Sequence, residues 1–329
     1  MEARTGRRRR HHDLHLRPDL GTGATFTLVF AAEILQGLSS GLIAPAIAAI
    51  SLGLVRRSGM PVRTGRNFRF SAAGTALTAT ALGVIGSFVS TRAIFLAAAA
   101  LCLPALFALS FIRSDEIDYA RARNAAKSGS AQRVIDLAKN RNLVLFAGCL
   151  VLFQFANASI LPIVSEGLAT GGAPMGSLLI AGLILPPQIL VAILAPWVGY
   201  HSETRGRKPL LLAGLGVVAV RALAFAFVTS YPVLVAIQLL DGISGAIISV
   251  LTVLVITDLT AGTGRFNLVQ GVAGSLMGIA ASLSTSINGF IFQEFGRVSG
   301  FLFIAAVAAA ATSVAWVFLP ETKPGKYED

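Results

Sequence analysis

Three ionisable residues lie inside long apolar runs of the sequence: Glu33, Arg221 and Asp241. A charge at the centre of a bilayer costs about 2.5–3.5 kcal/mol on insertion scales, so such residues are candidates for function. A carboxylate among apolar groups also binds a proton more readily, because burial disfavours its charged form. We therefore predict proton coupling at Asp241, Glu33 and Arg221. The structural alternative is an ion pair between Asp241 and Arg221, or a hydrogen bond between helices.

Side-chain amides in the same runs are suited to a polar cavity. Gln154 and Asn157 are three residues apart and would share one face of a helix. With the other polar residues of these runs, they could bind a neutral, hydrogen-bonding solute. Alternatively, such amides serve only as contacts between helices. The cavity candidates are Gln36, Gln154, Asn157, Gln188, Gln238 and Asp241.

The polar stretch formed by residues 199–208 combines glycines with charged side chains. We expect Gly199 and Gly206 to permit a tight turn. Glu203 and the basic residues could then bond to the ends of neighbouring helices. The alternative is that the basic residues only mark the cytoplasmic side of a membrane. The residues concerned are Gly199, Glu203, Arg205, Gly206, Arg207 and Lys208.

The candidate residues named above are predicted to lie on membrane-spanning helices or in the connections between them. Of the 329 residues, 54% are apolar and only 13% are charged, whereas soluble domains carry about 25% charged residues. The net charge of +11 does not indicate nucleic-acid binding, because the basic residues cluster between apolar runs, as they do in loops beside an anionic membrane surface. The alternation typical of barrel strands is absent. The predicted fold class is an all-α polytopic membrane protein.

The long apolar runs predict about nine spans, since each span needs roughly 20 apolar residues. Connections rich in Arg and Lys alternate with connections that hold only Arg92 and Arg297. Positive residues stay inside, so the C-terminus is predicted to be cytoplasmic, with a bacterial inner membrane as the expected location. The predicted spans are 25–50, 70–90, 92–112, 143–165, 176–199, 209–229, 231–257, 267–291 and 298–319.

An internal repeat indicates that the protein once had two similar halves. Residues 35–43 (LQGLSSGLI) are similar to residues 240–247 (LDGISGAI), and a Gly-Arg pair follows each segment, at Gly65-Arg66 and at Gly264-Arg265. The common order of these matches indicates a duplicated half. Three spans precede the polar stretch 114–140 and six follow it, so three spans would be missing at the front.

The basic leader raises a conflict with this topology. Nine spans and a cytoplasmic C-terminus put the N-terminus outside, yet the arginines of the leader should resist export. Either the leader is not the natural start of the protein, or the first span is inverted or not inserted. The predicted divisions are a leader (1–23), a partial N-terminal half of three helices (24–113), a cytoplasmic loop (114–140), a six-helix C-terminal half (141–320) and a cytoplasmic tail (321–329).

Together these features resemble the major facilitator superfamily of secondary transporters. The signature loop of that family, Gly-x3-Asp-Arg-x-Gly-Arg-Arg/Lys, is similar to residues 199–208, where Glu203 and Thr204 replace its Asp-Arg pair. If this is the weaker copy of the loop, which in the family joins helices eight and nine, the spans correspond to family helices 4–12. A pattern of helix four, Arg-x2-Gln-Gly, is similar to residues 33–37, with Glu33 in place of the arginine that the family links to proton coupling.

The resemblance implies a bundle of two six-helix halves that gives alternating access to a central cavity, and a conformational latch at residues 199–208. A small-molecule solute, H+ and the lipid bilayer are the implied partners, and the oligomeric state stays open. We expect no enzyme activity, no cofactor, no metal site and no nucleic-acid partner. Little transport is expected from this chain alone, and the alternative is a non-transporting membrane remnant or an accessory membrane subunit.

The distribution of basic residues predicts the side of each connection. Alkaline phosphatase fused after Ser90 or Ser230 should be active, because these connections are predicted to lie outside, where that reporter folds. Green fluorescent protein fused after Lys323 should fluoresce in the cytoplasm. Active phosphatase at Lys323, measured in intact cells, would contradict the predicted orientation.

Overall fold

The computed structural model describes residues 26–125, 137, 139–170 and 176–323, and this part of the chain is built from helices. The leader 1–23 and most of the tail therefore lie outside the described residues. Two compact units are present, one up to Ser40 and one from Gly41 onward, with α1 beginning in the first. The helices are α1 (Phe26–Leu54), α2 (Met60–Phe88), α3 (Thr91–Ala100), α4 (Cys102–Leu109), α5 (Tyr119–Ala122), α6 (Arg141–Ala158), α7 (Ile160–Thr170), α8 (Gly176–Thr204), α9 (Arg207–Phe227), α10 (Tyr231–Leu259) and α11 (Phe266–Phe318).

Eight helical stretches within the described residues are long and apolar enough to cross a membrane. The last of them, α11, has 53 residues and would measure roughly 80 Å if it were straight, more than twice the thickness of a ~30 Å hydrocarbon core. It is interrupted at Gly296, whose φ of 80° and ψ of 174° are not helical. The segments 266–295 and 297–318 are therefore two separate candidate spans, and with this division the described helices include nine candidates, the number that the sequence predicts. An all-α polytopic membrane fold is confirmed.

The bend of α11 is held by contacts on both sides of Gly296. The ring of Phe292 packs edge-on against Phe301, with 4.8 Å between ring centroids. The guanidinium of Arg297 donates to the carbonyl oxygens of Phe225, at 2.9 Å, and Val228 at the end of α9. This arginine satisfies carbonyl groups that have no partner within their own helix. Segment 297–318 is thereby fixed against α9.

Three predicted spans differ from the observed helices. The second was predicted from residue 70, but α2 already begins at Met60, with Pro61 in its first turn, a position that proline favours. Consequently Arg63, Arg66 and Arg69 belong to a helix and not to a connection. The third span consists of α3 and α4, and the fourth is broken at Ser159 into α6 and α7.

Helices α2 and α8 cross at two glycines. A Cβ atom on Gly65 would lie 2.8 Å from the carbonyl oxygen of Ala195, and one on Gly199 would overlap the carbonyl oxygen of Pro61. Backbones approach this closely only where no side chain intervenes, which is how small residues promote helix contacts in membranes. Gly199 is thus a packing residue within α8, and the prediction that it forms a turn is wrong.

The start of the polar stretch 114–140 is bound to the helices on either side. The N–H of Asp118 donates to the carbonyl oxygen of Gly53 at the end of α1, at 3.3 Å. The buried amide of Asn124 donates to the carbonyl oxygen of Thr257 at 2.8 Å and to the hydroxyl of Thr260 at 3.2 Å. This part of the predicted loop therefore connects the end of α1 to the end of α10.

The glycine crossing can be tested by replacing Gly65 with alanine. The added methyl group would meet the backbone of α8, so either helix must shift, and overpacking of this kind costs about 1–3 kcal/mol. The expected result is a lower unfolding temperature of the purified protein in detergent. Gly216→Ala is the matched control, because a Cβ atom there has nothing within 4 Å. Equal stability of the two variants would contradict the close crossing.

Candidate functional site

Arg221 is the centre of a polar cluster among the membrane-spanning helices. Its side chain is 1% exposed, and its Nη1 donates to Oδ1 of Asp241 and, at 2.9 Å, to Oδ1 of Asn157. One guanidinium thus joins α9, α10 and α6. The ion pair that was the structural alternative is formed, and Asn157 joins it. We refer to Asn157, Arg221 and Asp241 as the Arg221 cluster.

The cluster lies well inside the candidate span formed by α10. Asp241 follows the first residue of α10 by about ten residues, or roughly 15 Å, which is half of a ~30 Å hydrocarbon core. Its side chain is nevertheless 25% exposed, whereas Arg221 is almost wholly buried. The carboxylate is therefore partly exposed at the surface of the helices, whereas the guanidinium is enclosed by them.

Close contact between α8 and α10 fixes the position of Asp241. A Cβ atom on the next residue, Gly242, would lie 2.6 Å from the carbonyl oxygen of Pro187. A larger residue would separate the two helices at this level. The same contact places the partly exposed Gln188, which follows Pro187, near the level of Asp241.

The remaining cavity candidates are distributed unevenly. Gln154 is partly exposed on α6, one turn before Asn157, whereas Gln238 is buried on α10 with 1% exposure. Gln36 is exposed on α1. The side chain of Glu33 lies outside the described part of the structure. Of the candidates named from the sequence, the structure joins Asn157, Arg221 and Asp241 by hydrogen bonds.

A second buried polar group supports α6 where that helix ends. The amide of Asn288 donates to the hydroxyls of Ser159, at 2.6 Å, and Ser284, at 3.1 Å. Ser284 in turn donates to the carbonyl oxygen of Phe155 at 2.5 Å. These three polar residues are fully buried. They were not among the candidates named from the sequence, although Ser284 and Asn288 are four residues apart and share a helix face.

Arg207 is the centre of a different polar network, at the junction of α8 and α9. Its guanidinium, 4% exposed, contacts Oδ2 of Asp258 at 3.1 Å and Oε1 of Glu203 at 2.8 Å. It also donates to the hydroxyl of Ser202 at 2.8 Å. Asp258 belongs to the end of α10, so the network joins α8, α9 and α10. We refer to Ser202, Glu203, Arg207, Asp258 and Glu321 as the Arg207 latch.

Glu321 completes the latch from the far end of the chain. Its carboxylate accepts from the backbone N–H groups of Arg207, at 2.7 Å, and Lys208, at 3.1 Å, which begin α9. Acidic groups stabilise this end of a helix because its first N–H groups have no partner in the helix. Burial raises the pKa of Glu321, but hydrogen bonds from four backbone N–H groups lower it below its usual value. The first residue of the predicted tail is therefore bound to the start of α9.

The other residues of the 199–208 stretch have separate positions. Gly206, with φ of 90°, forms the turn between α8 and α9 as predicted. Arg205 is exposed and Lys208 partly exposed. Arg57, from the connection after α1, lies 3.8 Å from the second carboxylate oxygen of Asp258. Asp258 was not predicted from the sequence, although an acidic residue on a predicted side rich in arginine is a usable signal.

The two networks differ in their composition and in their position along the helices. The Arg221 cluster combines a buried cation with a partly exposed carboxylate. The Arg207 latch consists of ion pairs and helix-end contacts that hold three helices together. Such contacts can exist in one conformation of a transporter and be released in another.

Comparisons with known proteins find a matching family model and several relatives. A sequence model of the Major Facilitator Superfamily matches residues 20–203 and residues 143–329. Two uncharacterized MFS-type transporters of Mycobacterium tuberculosis, from strains CDC 1551 and H37Rv, are each 35% identical over 305 residues, which cover 90% of this chain and 73% of theirs. A chloramphenicol resistance protein of Pseudomonas aeruginosa is 26% identical over 125 residues, 38% of this chain and 30% of its own. The prediction that three helices are missing at the front is not tested by these matches and stays a prediction.

The contribution of Glu321 is testable by its replacement with glutamine. Glu321→Gln should destabilise the protein by about 0.5–2 kcal/mol near neutral pH, the usual value of a helix cap. Because the pKa of Glu321 is lowered in the folded protein, its contribution is fully present above the usual glutamate pKa and disappears as the pH falls through the folded value. Thermal unfolding of both proteins across this pH range measures the difference.

The matched control for this experiment is Glu294→Gln, which removes an exposed carboxylate of α11. Its stability should follow that of the unchanged protein at all pH values. A difference between Glu321→Gln and the unchanged protein that persisted in strong acid would contradict the role of the carboxylate.

Proposed function

Because the chain belongs to the major facilitator superfamily, we propose that its helices transport a small solute across the membrane by alternating access and that transport is coupled to protons. The observation that carries this proposal is the Arg221 cluster. Charged side chains are rare at this depth of a bilayer and usually belong to solute or ion pathways. The partly exposed Asn157, Gln154 and Gln188 supply hydrogen-bonding groups beside it.

Asp241 is the proposed proton carrier. Its carboxylate is accessible, whereas the guanidinium of Arg221 is buried and stays charged at physiological pH. Protonation of Asp241 would weaken its bond to Arg221, so α9 and α10 would respond to the proton. A proton-dependent change in helix contacts is what coupling to alternating access requires.

The Arg207 latch is the proposed cytoplasmic gate. The basic residues around it support an orientation in which this end and the C-terminus face the cytoplasm of a bacterial cell. Its ion pairs join α8, α9 and α10, so a conformation that opens this side must break or exchange them. Arg207 contacts both Asp258 and Glu203, which allows an exchange of one carboxylate for the other.

Transport through the Arg221 cluster predicts the behaviour of Asp241→Asn. A panel of small solutes, including chloramphenicol, is first screened for those that raise the unfolding temperature of the purified chain. Uptake of such a solute into proteoliposomes, although expected to be weak, should follow an imposed pH gradient. Asp241→Asn should reduce this gradient-driven uptake by at least about tenfold, since an amide cannot take up the proton. Glu294→Gln, which changes an exposed carboxylate, should transport like the unchanged chain.

The same experiment separates the proposal from its alternative. A solute that binds but does not cross the membrane would favour a non-transporting membrane protein or accessory subunit. Uptake that ignored the pH gradient would retain transport and overturn proton coupling.

A further inference from the structure

We infer that the solute is a small organic anion, such as a carboxylate, and that it binds together with the proton, which makes the protein a proton–anion symporter. The inference rests on the proposed proton coupling at Asp241. It follows from the charge balance of the Arg221 cluster.

Compensation of the Arg221 charge depends on one carboxylate within the described part of the chain. Among the described residues, Asp241 is the ion-pair partner of its guanidinium, whose side chain is 1% exposed. A buried cation that loses its counter-charge is strongly disfavoured, since neither water nor another carboxylate compensates it. With Asp241 ionised, the pair has no net charge; with Asp241 protonated, one positive charge remains uncompensated.

The charged groups of the neighbouring helices do not remove this requirement. Helix α6 contributes the neutral Gln154 and Asn157 at this level. Near the bend of α11, the carboxylate of Glu294 is exposed and Arg297 donates to backbone carbonyls of α9. The arginines of α2 lie in its first three turns, and the charged residue of α8, Glu203, belongs to the Arg207 latch. Within the described helices, protonation of Asp241 therefore leaves the positive charge of Arg221 without a compensating anion, and another anion must bind there.

The donors that such an anion needs are already in place. None of the described residues accepts a hydrogen bond from the buried Nε of Arg221, and an unsatisfied buried polar group is unusual and costly. A carboxylate in contact with the guanidinium could accept from it and from a second nitrogen, the paired geometry that arginine favours. Asn157 turns its oxygen toward Arg221, which leaves its NH2 group to donate to the solute.

The balance of charge then gives the direction of coupling. One proton from solution binds the carboxylate of Asp241, and one monoanion takes its place beside Arg221, so the site is neutral before and after. Each ligand favours the other because each compensates the charge that the other introduces, and this coupling is reciprocal. A cationic solute would instead compete with Arg221 for Asp241 and add positive charge to a buried site.

The test measures binding of charge-matched probes to the purified full chain in detergent. The probes are acetate and benzoate as anions, benzamide as the neutral analogue of benzoate, and benzamidine as the cationic one. At least one anion should raise the unfolding temperature, and its dissociation constant should increase about tenfold per pH unit above the pH at which Asp241 is protonated, as coupling to one proton requires. About one proton per bound anion should be taken up from a weakly buffered solution.

Variants make the assignment specific. Asp241→Asn imitates the protonated carboxylate, so it should bind the anion with no pH dependence, and the anion should restore its stability. Arg221→Gln should lose anion binding at least tenfold; the double variant Arg221→Gln/Asp241→Asn, which leaves no buried unpaired charge, should fold and should also lose it. Arg92→Gln, which removes an exposed arginine, is the matched control and should bind like the unchanged chain.

Three results would overturn the inference. They are the absence of binding by both anions, tighter proton-coupled binding of benzamide or benzamidine than of benzoate, and anion binding that Arg221→Gln leaves intact. The second result would leave the proposed proton coupling standing and remove only the anion. Anion binding that needs Arg221 but ignores pH would keep the anion site. It would remove both the symport and the role of Asp241 as the proton carrier.

Discussion

A permanently charged guanidinium inside an apolar bundle must have an anion within reach, and Arg221 imposes this constraint on the helices around it. Its charge fixes the position of Asp241 on α10 and draws Asn157 on α6 toward the same point. Gly242 permits the close contact of α10 with α8 that keeps this arrangement compact. The polar contacts among α6, α9 and α10 at this level, and the chemistry that we propose for them, thus depend on one charge.

The same physical rule operates at the other end of the helices with a different outcome. Arg207 is also buried, but it has two carboxylates and a hydroxyl as partners, and Glu321 caps the helix that it begins. Compensation at Arg207 is redundant, so partners can be exchanged without leaving the cation bare. Within the residues that the structure describes, compensation at Arg221 depends on a single carboxylate, which is why we propose that level for binding and the Arg207 level for gating.

Composition and local pattern were enough to predict the apolar spans, the ionisable residues within them and the turn at Gly206. Contacts between residues far apart along the chain could not be predicted in this way. Asp258 and Glu321 belong to the latch because the ends of α10 and α11 lie beside Arg207, and the local sequence around each residue does not show this. Gly199 was expected in a turn because glycine permits turns, but glycine also permits close helix crossing, and no local pattern distinguishes the two.

The central claim, that the proton and the charge of Arg221 meet at Asp241, is tested most directly by infrared difference spectroscopy of the purified chain. On acidification in the presence of a bound anion, we expect a new carbonyl band of a protonated carboxyl group that is missing in Asp241→Asn. An unchanged band in that variant, or no band in either protein, would contradict the assignment of Asp241 as the group that carries the proton.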